Sequence, residues 1–507
     1  MTEFSGVPAT IGLAAPHSDR ARAYETLRAL AIASGSITAL LFVLLGLRYG
    51  LQMYADGSLF SYAVAVRDAW AFHCHNISGR LAVYLFAFAP AEAYVELAGD
   101  PAGGVALYGF LFFILQFLGL AATFVADRSP NRFLFCYASA STACLCPLVF
   151  GFPTEVWMTH ALFWPTLAVA HFARPSARGN LAVFLCMLAL ALTHAGAQIS
   201  LVAILMTLSL RGFRDARFRR AAGAFALVVL IWALVKLTLR PDDYTAAVLG
   251  RAALHVFDIS ILTGPLMRLI AGALLAYAAL FWLFSHANAR LAPLYAAAAT
   301  AAILALYWQR FDDALHATNR YYLRTVLLLA TPGLGFIAAT HLVLLEGRVQ
   351  GPLSFVARIL SALLNDSTAR AATGALLVIL TIHAVETEKF VRAWQEYKAA
   401  VRGLATGTAS DAALGSVQFV SSARIPAKVN ELSWFSTTPF LSVLLAPQMT
   451  PARLVVDPNA NYFWISCETA TENLEAKRAM PAQGRELVRV YSCLHRWRRK
   501  PQVSNGR

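Results

Sequence analysis

The chain has 507 residues, of which 58% are hydrophobic and only 14% are charged. An ordinary soluble domain carries about 25% charged residues, so this composition excludes a soluble enzyme of the same length. The net charge of +14 does not indicate nucleic-acid binding, because much of the excess is arginine in short loops between apolar segments and not on a basic, aromatic-interleaved soluble face. We therefore expect a membrane protein with no nucleic-acid partner.

The apolar segments have the length of helices that cross a bilayer, which need about 20 mostly apolar residues, and are too long for barrel strands. They predict an all-α polytopic membrane protein with about eleven transmembrane helices. The stretch 81–98 is also apolar, but Pro90, Glu92 and Glu96 interrupt it, and we predict that it lies at the interface. The predicted spans are 29–47, 103–126, 133–152, 155–172, 181–195, 196–210, 221–239, 264–285, 291–309, 323–345 and 371–386.

The arginines predict the orientation of these spans. With a cytoplasmic N-terminus, sixteen arginines fall in inside segments and seven in outside loops, as the positive-inside rule requires. The arginine cluster between Arg211 and Arg220 predicts a cytoplasmic location for the middle of the chain. We expect a multi-pass protein of a bacterial-type inner (plasma) membrane, with 1–28 cytoplasmic, a membrane domain over 29–386 that includes an outside loop at 48–102, and 387–507 outside.

The segment 387–507 is polar and punctuated by prolines, which is typical of a small soluble unit. Leu441–Leu445 and Arg453–Val456 have the composition of strands, and we predict a small extracytoplasmic α/β domain. In an oxidising compartment Cys467 and Cys493 could form a disulfide. Two free buried thiols fit the sequence equally well.

Carboxylates lie at the start of two outside segments. Asp56 follows the first span by a few residues, and Gly57 permits a tight turn there. Glu155 opens the fourth span after a very short hairpin. These are candidate catalytic acids, although Asp56 could instead cap a helix and Glu155 could serve the helix dipole.

Basic and aromatic residues gather in two outside loops. His316, Arg320, Tyr321 and Arg324 lie where the chain enters the tenth span, and Arg320 and Arg324 share one helix face by their spacing. Arginine binds phosphate through a planar fork, so these residues are candidate substrate ligands, together with Arg67 and His73 of the first loop. Cations snorkelling from a helix end are the alternative interpretation.

This pattern resembles the GT-C superfamily of membrane glycosyltransferases. The resemblance rests on an acid after the first span, an acid between spans three and four, a late Arg-Tyr segment, about eleven spans and an outward C-terminal domain. It implies that Asp56 and Glu155 are catalytic, that Arg320 and Arg324 hold a lipid phosphate, and that the donor is a polyprenyl-linked sugar. The chain departs from the commonest pattern with Asp-Gly in place of paired acids, and with Arg324 and Thr325 where a proline often follows. No cofactor is specified, and a divalent metal stays open.

Three other functions fit the same sequence. A transporter or flippase of a lipid-linked substrate would use ionisable residues at membrane depth, where His194, Lys236 and Arg268 are the candidates. A polysaccharide polymerase or ligase would use arginine and histidine without Asp56. A non-catalytic assembly subunit would bind its partner through the tail.

Overall fold

The computed structural model describes residues 18–69, 80–238, 259–311, 320, 322–347, 355, 359, 365–406, 418–434, 437–449 and 451–456. Within these ranges the chain is a helical bundle with one two-stranded sheet. The N-terminal half contains α1 (Ser18–Tyr49), α2 (Asp56–Val66), α3 (Leu81–Ala98), α4 (Pro101–Ala126), α5 (Phe133–Leu145), α6 (Glu155–Phe172), α7 (Ala177–Ala191), α8 (Ala197–Ser209) and α9 (Ala216–Thr238). The rest contains α10 (Pro265–Ala287), α11 (Ala292–Arg310), α12 (Arg324–Leu345), α13 (Asp366–Thr406), β1 (Gln418–Ser421), α14 (Ala427–Asn430), α15 (Thr438–Leu445) and β2 (Arg453–Val456).

Helices occupy all eleven segments for which spans were predicted. Eight helices of the described chain are long and apolar enough to cross a membrane, which identifies a multi-pass membrane protein. These eight include α3, whereas α7 and α8 are shorter apolar helices. The sequence favours these helices because they are rich in leucine and alanine. Proline occupies one of the first two positions of α4, α10 and α11, where its missing N–H costs no helical hydrogen bond.

The helices pack as a bundle with two large clusters of buried apolar side chains. One core joins α1, α2, α4, α13 and the C-terminal segment, and the other joins α6, α7, α8, α9 and α12. We call the end at which α2 and α6 begin the Asp56 end. At this end Tyr54 packs on Phe152 with ring centroids 4.7 Å apart.

Helix α3 packs along the first part of α4. It begins after Arg80, which is ion-paired with Glu155, and a turn at Gly99 joins it to α4. Phe88, in a π-helical turn of α3, lies on Tyr108 of α4 with ring centroids 4.9 Å apart. The start of α3, the helix that was expected at the interface, therefore meets the Asp56 end, and its middle packs on α4.

The C-terminal segment differs from the expectation at one element. The strand predicted at Leu441–Leu445 is wrong, because these residues belong to helix α15. Pro439 occupies a first position of that helix and starts it. Each residue from Thr438 to Leu445 is buried, so the continuous apolar run carried no period that could separate helix from strand.

The strand at Arg453–Val456 is confirmed, and it pairs in parallel with β1. Strand β2 and helix α15 pack on α13, which has 41 residues and a length of about 60 Å. That is about twice the thickness of a hydrocarbon core. The proposed Cys467–Cys493 disulfide lies outside the described residues.

Candidate functional site

Asp56 lies at a sharply bent junction between two helices. After α1 the chain makes a short 3-10 turn at Leu51–Met53, and Asp56 is the first residue of α2. The N-cap is Ala55, with φ 50° and ψ −127°, so Asp56 does not hold the capping position. Such a backbone costs about 1–3 kcal/mol and persists only where its surroundings impose it. Strain of this kind is common beside functional groups.

Gly57 brings this junction against the turn that precedes α6. A Cβ atom at Gly57 would lie 2.2 Å from the Gln52 carbonyl oxygen and 2.4 Å from Pro153. Only glycine therefore permits the close approach. The approach carries Asp56 toward Glu155, and the negative charge of Glu155 acts on the Asp56 carboxyl.

Glu155 is the first residue of α6 and is only 5% exposed. Its carboxylate is ion-paired with Arg80. A buried carboxylate is stable only when it is paired in this way. Arg80 belongs to the first loop, so this ion pair joins the first loop to the start of α6.

Arg324 supplies the second positive charge. It is the first residue of α12 and is half-buried. Burial raises the pKa of Asp56 to about 6, against the opposing effects of Arg324 and Arg80 and of a hydrogen bond from the Trp434 side chain. Since a base works best with a pKa near the operating pH, this environment suits an acid–base role.

Two further groups at this end were not among the expected ligands. His194 lies in the turn between α7 and α8, where its Nδ1 accepts a hydrogen bond from the Gly196 N–H at 3.0 Å. The charges of Arg80, Arg324 and Lys236 all act on His194. The sequence suggested His194 and Lys236 as groups at membrane depth, and the fold places them with the Asp56 cluster. These groups come from helices that are far apart in the sequence, so no local sequence pattern could have predicted that they lie close together.

Arg320 lies in a different environment from Arg324. It is 2% exposed, and its Nη2 donates to the Glu386 carbonyl oxygen at 2.9 Å and lies 3.8 Å from the Glu386 carboxylate. Its guanidinium also lies 5.1 Å from the centre of the Phe390 ring. Arg320 therefore fastens α13 to the segment before α12, one layer behind the Asp56 cluster.

The other predicted ligands do not join the cluster in the described chain. Arg67 follows the last residue of α2 and is ion-paired with Glu96 of α3. Since α2 has 11 residues, Arg67 is about 16 Å along the helix from Asp56. His73, His316 and Tyr321 lie outside the described residues.

The C-terminal segment covers this cluster. Trp434 hydrogen-bonds the Asp56 side chain and packs on Phe152 with ring centroids 6.2 Å apart. Ser58, two residues after Asp56, donates to the Thr437 carbonyl oxygen at 3.2 Å. We call residues 432–434 and 437–445 the roof, because they cover the Asp56 end from one side.

The donor set indicates what the cluster can bind. No group of three or more His, Cys, Asp or Glu side chains with the placement of a metal site occurs in the described ranges. Asp56 and Glu155 are accompanied by Arg80, Arg324 and Lys236, so a cation would meet three positive charges. The described residues fit an anion such as phosphate beside one base, and do not fit a divalent metal.

Comparisons of the chain with protein-family models, with curated proteins and with solved structures give no match.

Proposed function

We propose that the chain is a membrane glycosyltransferase of GT-C type that moves a sugar from a polyprenyl-phosphate donor to an acceptor hydroxyl. One observation carries the proposal: a half-buried carboxyl, Asp56, with a pKa of about 6 lies within the electrostatic reach of two arginines, Arg80 and Arg324. A base beside cations is the combination that displacement at a sugar phosphate requires.

In this reaction the acceptor oxygen attacks the anomeric carbon and its proton passes to Asp56. The bond between the anomeric carbon and the phosphate oxygen breaks, and the electron pair leaves with the polyprenyl phosphate. Arg324 holds that phosphate through its fork. Glu155 keeps Arg80 in place, and a single displacement inverts the anomeric centre.

We further propose eleven spans, with α3 at the membrane surface. The start of α3 contacts Glu155 through Arg80. Its far end joins α4, whose Tyr108 feels the charges of Glu155 and Asp56. These contacts support the placement of α3 along the surface at the Asp56 end, without a crossing. The remaining helices of bundle length cross in alternation, with 1–28 cytoplasmic and 387–507 forming a small α/β unit outside the plasma membrane of a bacterial-type cell.

The test is transfer of labelled sugar from a polyprenyl-phosphate donor by the full chain in reconstituted membranes. Asp56→Asn keeps an acceptor for the Trp434 hydrogen bond but cannot take a proton, so transfer should fall by about 10²–10⁴-fold. Asp100→Asn removes a carboxylate next to α4 that takes no part in the cluster, and it should retain full activity. An Asp56→Asn protein that melts normally and transfers normally would show that the proposed base is wrong.

A polysaccharide polymerase or ligase is the second candidate, because positive groups outnumber acids around Asp56. Such an enzyme would rely on arginine and histidine. It predicts that Arg324→Ala abolishes activity while Asp56→Asn does not. The same two variants, assayed for joining of lipid-linked chains, separate the candidates.

A further inference from the structure

A basic cavity lies at the other end of the bundle from Asp56. It has a volume of about 880 Å³ and is bounded by the end of α6, the start of α7 and the start of α9. This volume falls within the range of small-ligand sites, about 300–1,000 Å³. Since α6 has 18 residues, the cavity is about 27 Å from Glu155 along that helix. That separation is close to one hydrocarbon thickness, so the cavity lies at the opposite membrane surface.

The charge on the cavity walls is strongly positive. Four arginines line it, against one acid, Asp215. The carboxylate of Asp215 accepts a hydrogen bond from the Arg217 backbone N–H at 2.7 Å, so it is used to start α9. Arg220 donates to the Ala173 and Arg174 carbonyl oxygens at 3.0 and 3.1 Å and builds the wall between α6 and α9. The remaining arginines of the lining are Arg174, Arg217 and Arg219.

The rest of the lining is apolar and continues onto a lipid-facing surface. Phe172, Phe184 and Leu227 line the cavity, and Leu227 is exposed on α9. Farther along the same helix Leu230 and Leu234 are also exposed. Only 11% of the apolar stretch of α9 is buried inside the bundle. The positively charged cavity therefore opens beside the apolar face of α9. A ligand with an anionic headgroup and hydrocarbon chains matches both the cavity and the helix face.

We propose that this cavity binds the headgroup of an anionic phospholipid. Arg217 and Arg219 hold the phosphate, and the acyl chains lie along Leu227 and Leu230 of α9. A soluble phosphate compound shares the anionic chemistry but leaves the exposed leucines unused. Basic pockets between helices at the cytoplasmic surface suit such headgroups. The inference does not depend on glycosyl transfer, because the cavity and the Asp56 cluster are at opposite surfaces.

The test measures binding of phosphatidylglycerol to the full chain purified in neutral detergent, by native mass spectrometry and by the melting temperature. Phosphatidylglycerol should bind and raise the melting temperature, whereas phosphatidylcholine and inorganic phosphate should have little effect. Arg219→Glu reverses a charge on the cavity wall and should weaken phosphatidylglycerol binding by about tenfold or more. Arg214→Glu makes the same change five residues away on an exposed residue that does not line the cavity, and should bind as the unaltered chain does.

The milder variant Arg219→Gln guards against a folding defect in Arg219→Glu, and it should show an intermediate loss. Equal loss in Arg214→Glu would mean that diffuse surface charge attracts the lipid, and the proposed site would be overturned. Stabilisation by inorganic phosphate that matches phosphatidylglycerol would also overturn it, since the occupant would then be a soluble anion. If both Arg219 variants melt normally without lipid and bind phosphatidylglycerol as the unaltered chain does, the proposal that this cavity binds the headgroup would be overturned.

Discussion

At the scale of single residues, the ionisation of Asp56 is set by opposing effects. Burial raises its pKa, the nearby charge of Arg324 lowers it, and Glu155 raises it again. The outcome is a carboxyl with a pKa of about 6, which is higher than that of an ordinary aspartate. Its proton affinity therefore depends on its neighbours, and a change in any of them will shift the pH at which it ionises.

The first prediction is a pH dependence. If ionised Asp56 takes the acceptor proton, kcat/KM should fall by about tenfold for each pH unit below 6 and level off above it. Asp56→Asn should remove this limb of the profile. Because the folded-state pKa is raised, the stability contribution of Asp56 is fully present below about pH 4 and is lost as the pH rises through 6. The variant should therefore melt no lower than the unaltered chain at pH 7.

The second prediction contrasts two arginines four positions apart. Arg320→Ala leaves the Glu386 carboxylate buried without its partner, and such a loss costs about 3–5 kcal/mol of stability. If Arg324 holds the donor phosphate as proposed, Arg324→Ala should instead lower transfer by about 10²–10³-fold, because the variant lacks that cation. Melting curves and transfer rates measured on both proteins check this. If Arg320→Ala melts normally and loses only activity, Arg320 holds substrate as the sequence suggested.

At the scale of helices, small residues permit two close crossings. A Cβ atom at Gly35 of α1 would lie 2.3 Å from the Ser139 carbonyl oxygen of α5, and one at Gly119 of α4 would lie 2.4 Å from that of Ala161 in α6. In a membrane, backbones approach this closely only where side chains are small. These contacts therefore fix the packing of α1 and α4 in the bundle.

The third prediction follows from these crossings. Gly35→Ala and Gly119→Ala should each destabilise the protein by about 1–3 kcal/mol, since the added methyl group forces two backbones apart. Gly272→Ala on α10 is the matched control, because a Cβ atom there meets nothing within 4 Å. It should be neutral, or stabilising by up to about 1 kcal/mol. Thermal melting in detergent distinguishes the three; a normal melting temperature for both crossing variants would contradict the packing described.

The positions of the helices were largely predictable, and some details were not. Long apolar runs located the long helices of the bundle, because burial in lipid requires them, whereas helix α2 in the first loop was not predicted. The short run at Leu441–Leu445 was misassigned, since a segment buried on all sides shows no period. The sequence of helix α3 suits either a surface helix or a span, and the described structure counts it among the eight helices long and apolar enough to cross a membrane.

At the scale of the whole molecule, the orientation is the fourth prediction. Reporter fusions at residues 215 and 400 should report opposite sides of the membrane, with 215 cytoplasmic, because the arginines of the α8–α9 connection favour that side. The same side for both fusions would overturn the topology.

The composition of the site was only partly predictable. Asp56, Glu155 and Arg324 could be anticipated because each begins a helix at one surface. Arg80, His194 and Trp434 could not, since nothing local relates a first-loop arginine, an interhelical turn and a tail tryptophan to one another. Arg320 was expected beside them, yet it lies on Glu386 and Phe390. The spacing of residues predicts which face of a helix a side chain lies on, but it does not predict which other helix or segment packs against that face.

The contact between Ser58 and Thr437 joins residues separated by 379 positions. A ribosome and its membrane insertion machinery deliver the first of these long before the second. During synthesis the Asp56 carboxyl is therefore present before the Trp434 side chain that hydrogen-bonds it, and only the arrival of the last elements completes its surroundings. A nascent chain stopped before residue 418 would lack the contacts of Trp434 and Thr437 with Asp56 and Ser58, so its Asp56 end would stay uncovered until the last elements are made.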